Sequence, residues 1–177
     1  AGPTESGFGD MAIAPRALLY ESSHFLLSAN LEIGLPTGEQ DKGFGGEEVA
    51  LAPSISTWLD LGHRTTFQTQ FGYETGMDSG DAEVFYSAAI THSVLTRGST
   101  AHHDPIHFPQ GMVNLISEFT GRTGVHGSED DETSGELLFG ITYLLTQHWE
   151  ARGAYSIPVA GDDEIDETWI FGLIYHF

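Results

Sequence analysis

The sequence contains no cysteine. That excludes a disulfide framework, a thiol nucleophile and any thiolate zinc or iron–sulfur site. Positive charge is scarce: six Lys+Arg stand against 26 Asp+Glu, a formal charge of −20. So acidic a chain repels phosphate backbones, which argues against a nucleic-acid partner. It also repels anionic headgroups, which argues against electrostatic docking on a membrane surface. Long apolar runs are missing as well. The longest nearly unbroken one is Trp169–Tyr175, far short of the roughly 18 residues of a spanning helix. Glycine, by contrast, is plentiful at 22 of 177 residues, which disfavours a helical protein. The 40% hydrophobic and 11% aromatic content argues against disorder, and the length suits one domain, residues 1–177.

What the chain does have is alternation. Trp169, Phe171, Leu173, Tyr175 and Phe177 alternate with Thr168, Ile170, Gly172, Ile174 and His176. The same period of two runs through Leu137–Leu145, Thr65–Glu74, Phe25–Leu35 and Trp149–Ile157. Weaker versions cover Phe8–Glu21, Glu48–Leu59, Glu83–Thr96 and Gly111–Arg122. Period two means strands with two unlike faces. The reading is all-β, with about nine strands of roughly 10 to 14 residues, twice the usual globular length. About 9–11 tilted residues cross a bilayer, so the pattern suits an antiparallel transmembrane β-barrel. A soluble sandwich would show the same alternation with the apolar face turned inward.

Three features point to the membrane. Aromatics (Phe25, Trp58, Tyr73, Trp149, Trp169, Tyr175, Phe177) stand near strand ends, where Trp and Tyr prefer the headgroup level. Five of the six basic residues are Arg, and at least three fall on the polar face, where they can pair with Glu. Connections alternate in length. Ser22–Ser23, Asp60–His63 and Thr146–Gln147 are tight. Thr37–Glu47, Gly76–Ala82, Thr123–Ser134 and Ala160–Glu167 are longer and carry most of the acidic residues. Short turns on one rim and long loops on the other are the habit of outer-membrane barrels. Thr100–Gln110 breaks that rule.

The polar face supplies the candidate site: Arg16, Glu32, Gln68, Gln70, Glu118, Arg122, Glu150 and Arg152. It reads either as a selective constriction or as a salt-bridged filling of a narrow barrel. His102, His103 and His107, with Asp104, carry donors for Zn²⁺, Cu²⁺ or Ni²⁺, or form a polar His-rich loop matching no known ligand spacing. Glu129–Glu132 and Asp162–Asp166 lack EF-hand spacing and read as solvated loops at an acidic mouth. Ser and His stand together at Ser22–His24 and His92–Ser93, but there is no GxSxG elbow. Gly43–Phe44–Gly45–Gly46 lacks the Lys-Ser/Thr of a P-loop. The expectation is not an enzyme, and no motif implies a cofactor.

The last six residues, Gly172–Leu173–Ile174–Tyr175–His176–Phe177, look like the terminal assembly signal of bacterial outer-membrane barrels. That resemblance marks Gly172, Tyr175 and Phe177, although Ile170 replaces the polar residue usual before the glycine. Ser6–Gly7–Phe8–Gly9–Asp10 before one strand, and Gly34–Leu35–Pro36–Thr37–Gly38 closing the next, resemble the outer-membrane β-barrel family of transporters of the phenol meta-degradation pathway. The likeness is strongest over residues 6–75 and at the C-terminus. It implies a bacterial outer-membrane barrel, possible hydrocarbon uptake, and lipid, lipopolysaccharide and the barrel assembly machinery as partners. Since such barrels close with an even strand number, the expectation is either at least one strand before Ala1, within a barrel of 10–12, or one weak strand miscounted among the nine. The expected function is a channel or transporter for small, hydrophobic or aromatic solutes. A soluble lipocalin-like binding barrel and a non-conducting structural or assembly barrel remain the alternatives.

Overall fold

The computed structural model describes residues 7–39, 45–95, 112–127, 132–146, 148–161 and 167–176. Two classes of expectation lie outside them. One is the His102, His103, His107 group. The other is Phe177 and most of the two acidic clusters.

The described residues form ten strands: β1 (Met11–Ile13), β2 (Arg16–Glu21), β3 (Phe25–Leu35), β4 (Ala50–Gly62), β5 (Thr65–Gly76), β6 (Ala82–Leu95), β7 (Val113–His126), β8 (Thr133–Leu144), β9 (Trp149–Ala160) and β10 (Thr168–Tyr175). All lie in one antiparallel sheet in chain order from β3 to β10. The chain is therefore all-β. β1 and β2 both pair with β3, and in one register, Ile13 opposite Ile33 and Arg16 opposite Asn30. They are one strand interrupted at Ala14–Pro15, because Pro15 has no N–H to give the ladder. That reconciles ten strands with the nine read from alternation. The edges, β2 and β10, run in the same direction, and no pairing joins them among the described residues.

Direct cross-strand partners share a face, so the registers sort every side chain. One row reads Trp58, Gln68, Ala89, Glu118, Leu138, Ser156, Thr168. On the opposite face, Phe71, Phe139 and Phe171 are 62%, 51% and 78% exposed. No large side chain is fully buried among the described residues, and the buried apolar set is Ala52, Ala82 and Leu144. This is the inverse of a dry-centred sandwich. The apolar face looks outward, and the mixed polar face lies inside the curve of the sheet. Trp58 corrects the expectation for its position. It pairs with Leu26 and Gln68 on the inner face, not with the outward aromatics.

Tight turns gather at one rim. The β4–β5 turn places His63 and Arg64 at φ 53° and 63°, the left-handed pair that a two-residue hairpin needs and that glycine or asparagine tolerates better. The connections at 36–49, 77–81, 127–132 and 161–167 lie at the opposite rim, but the longest, 96–112 between β6 and β7, joins its strands at the tight-turn rim and breaks the alternation.

Candidate functional site

The sheet curls far enough for β5 and β10 to share one cavity. Gln70, Ser87, Glu118, Glu136, Ser156 and Thr168 line a space of about 610 Å³. Two further hollows of about 420 and 360 Å³ continue along the same face. All eight residues expected on the polar face lie on it by register. They do not form one cluster.

Near the long-loop rim, Arg122 Nη1 contacts Glu74 Oε2 at 3.2 Å and also pairs with Glu83. Its guanidinium stands 5.9 Å from the Phe85 ring centre, within cation–π range. Phe85 in turn lies over Gly72, where any Cβ would collide with the ring. The glycine is what lets the ring lie flat beneath Arg122. At the tight-turn rim, Arg152 Nε pairs with Glu150 Oε1 at 3.2 Å, and His176 Nε2 stands 3.5 Å from Glu150 Oε2. Gly172 sits opposite Arg152, and a Cβ there would be 3.5 Å from the Arg152 Cγ, an ordinary packing distance.

Between the rims run hydrogen-bond ladders. Arg16 Nε donates to Asn30 Oδ1 (2.5 Å), Asn30 Nδ2 to Ser56 Oγ (3.1 Å) and Gln70 Nε2 to Ser54 Oγ (3.0 Å). Ser93 donates to Asn114 (2.6 Å), and Asn114 Nδ2 donates to Thr142 (3.0 Å). Each inner-face arginine is thus engaged. Glu118 is not: it makes no hydrogen bond or ion pair with another described residue. It is also the one side chain that lines all three hollows. Glu32 is exposed on the same face.

Alternation also left an inner apolar ridge unremarked. Ile116, Leu138 and Ile170 line one hollow beside Glu118. Their period places them inward as plainly as it places Glu118, and Ile170 already stood on that face in the alternation of the last strand. The Ser/His pairs are divided. Ser23 Oγ lies 2.7 Å from His24 Nδ1, whereas His92 Nδ1 meets Thr65 Oγ1 at 2.8 Å and Ser93 bonds to Asn114 on the other face.

On the outer face, aromatics cluster at two levels. Trp149 meets Tyr175 edge-on at 5.0 Å, with His148 stacked on Tyr175 at 5.6 Å. Tyr155 meets Trp169 at 4.8 Å. The two pairs lie six residues apart along β9, about 20 Å.

Two carboxylates organise the long-loop rim: Asp10, which closes the Ser6–Asp10 motif, and Glu48, which no local pattern announced. Asp10 accepts from the Gly38 and Gly46 amides (2.7 and 2.6 Å), while the Met11 amide donates to Thr37 Oγ1 (2.9 Å). The motif around Asp10 and the motif ending at Gly38 are therefore halves of one clamp. Amides of Gly46, Gly38 and Thr37 hold the Asp10 carboxyl below its usual value. Glu48 accepts from the Ser79 hydroxyl and from the amides of Ser79 (2.8 Å) and Asp78. Those bonds, the Ser79 hydroxyl first, lower its pKa in the same way.

No curated protein matches the chain. The family described as "Putative MetA-pathway of phenol degradation" matches residues 2–163, spanning both halves of the Asp10 clamp and every residue of the inner-face set. The chain belongs to that family.

Proposed function

We propose that this protein is an outer-membrane β-barrel that passes small, neutral, apolar or aromatic solutes without chemistry. The observation that carries the reading is the inverted distribution of side chains. Phe71, Phe139 and Phe171 are presented outward, as a lipid-facing wall requires. A soluble binding barrel would turn that apolar face inward, so the arrangement favours lipid. The two aromatic levels suit headgroup depth, and the terminal Gly172–Phe177 segment suits delivery by the barrel assembly machinery. The inner face joins hydrogen-bonding ladders to the Ile116–Leu138–Ile170 ridge, so a solute can slide past apolar walls without stripping itself of every polar partner. Acidic loops at one rim, where lipopolysaccharide would lie, disfavour anions at the entrance. The family's description, phenol degradation, fits an aromatic cargo.

The test is liposome swelling with the refolded full chain. Swelling in a small neutral sugar should outpace protein-free vesicles, and swelling in a small organic anion should lag behind it. Rates equal to bare vesicles for all solutes would overturn the reading and leave the structural-barrel alternative.

A further inference from the structure

Among the described residues, Glu32 and Glu118 are inner-face carboxylates with no hydrogen-bond or ion-pair partner; Glu32 is exposed, whereas Glu118 is half-buried. Glu118 lies mid-strand in β7, opposite Ala89 on one side and Leu138 on the other. Neither can donate a hydrogen bond. Along its own strand the next inward side chains are Ile116 and Thr120. The inner-face arginines are taken up by Glu74, Glu83, Glu150 and Asn30. A half-buried carboxylate beside an apolar ridge lacks a donor, and a solute can supply it.

We propose that Glu118 is the acceptor of a solute-binding subsite for hydroxylated aromatics, with Ile116, Leu138 and Ile170 as its wall. The ring lies against the aliphatic side chains while its O–H donates to the Glu118 carboxylate, a charge-assisted bond. A neutral hydroxyl fits better than an ammonium, because it costs less to desolvate beside the ridge. A carboxylate or phenolate is repelled: it brings no donor, and like charge faces it from Glu118. The inference rests on the solute-passing reading above and narrows its substrate class.

The experiment uses the full chain refolded in detergent and three probes with one ring: 4-nitrophenol, 4-nitroanisole and 4-nitrobenzoate. Binding is measured calorimetrically against empty micelles, in mildly acidic buffer that keeps the nitrophenol neutral. The wild type should bind nitrophenol about tenfold more tightly than nitroanisole, the scale of one partly exposed bond to a charged acceptor. Nitrobenzoate should bind most weakly. Glu118→Leu should reduce nitrophenol to the affinity of nitroanisole. Glu118→Gln keeps the shape and an acceptor, so it should retain part of the hydroxyl preference and relax the rejection of nitrobenzoate. It also serves as the test should Glu118→Leu fail to refold. Equal wild-type affinities for nitrophenol and nitroanisole, or a preference that survives Glu118→Leu, would overturn the subsite and leave the apolar passage standing. Failure of nitroanisole to bind above micelles would overturn both.

Discussion

Leu138 and Phe139 are neighbours in the middle of β8 with side chains on opposite faces. Phe139 is outward and 51% exposed, while Leu138 pairs with Glu118 and Ser156 on the inner face. Replacing each with Arg asks which face meets hydrocarbon. An Arg at the middle of a lipid-facing strand costs about 2–4 kcal/mol. Full burial of a Phe is worth about 1.5–3 kcal/mol, and roughly half of Phe139 is left for lipid to cover, so its loss adds about 1 kcal/mol. Phe139→Arg should therefore cost about 3–5 kcal/mol, a large fraction of the roughly 5–15 kcal/mol that holds a native protein folded. Leu138→Arg points into the hollow beside the unpaired Glu118 and should change stability by less than about 1 kcal/mol. Urea titration of both variants in phospholipid vesicles, followed by heat-modifiable gel mobility, reads the difference. A larger loss for Leu138→Arg than for Phe139→Arg would refute the assignment of faces.

Arg64→Gly should stabilise the β4–β5 hairpin by about 0.5–1 kcal/mol, the left-handed penalty less the extra entropy of glycine in the unfolded chain; an unchanged urea midpoint would count against strain in that turn. Gly72→Ala forces the Phe85 ring off its seat under Arg122 and should cost about 1–3 kcal/mol, whereas Gly9→Ala, with open space around it, should be tolerated; equal losses would contradict the packing argument. The Asp10 and Glu48 clamps have folded pKa values below their ordinary 3.8 and 4.5. Their contribution is thus complete above those values and fades as pH falls through the lower folded ones. Pepsin should cut the connection at 36–49 increasingly as the medium drops below about pH 4, and Asp10→Asn should expose it at the upper end of that range too. Cleavage independent of pH in the native chain would count against the clamp.

Much of this architecture is readable from the chain because a period of two fixes both the element and its face. In β10, Trp169, Phe171 and Leu173 are 64%, 78% and 60% exposed, as their spacing demands. The first strand was harder. Its alternation runs across Pro15, and an irregularity between Leu18 and Tyr20 shifts the register, so a single weak pattern covers two hydrogen-bonded pieces. Trp58 set two cues in conflict. Its type suggested a headgroup anchor, while its spacing from Ser54 and Ser56 placed it inside, and the backbone period won. What no local reading supplies is register between strands. The Glu118 neighbourhood draws on β6, β7, β8 and β10, and the Asp10 clamp joins residues 28 and 36 positions apart. Pairs so distant are set by the whole sheet rather than by any window of sequence.

The three tryptophans offer the most direct test of the proposal that lipid covers the outer, apolar face. Single-tryptophan variants in vesicles containing brominated phospholipid should show strong quenching at Trp149 and Trp169. Trp58 should escape the bromine yet be quenched by aqueous acrylamide. Bromine quenching of Trp58, or none at Trp149 and Trp169, would contradict an apolar wall set outward around a wetted interior.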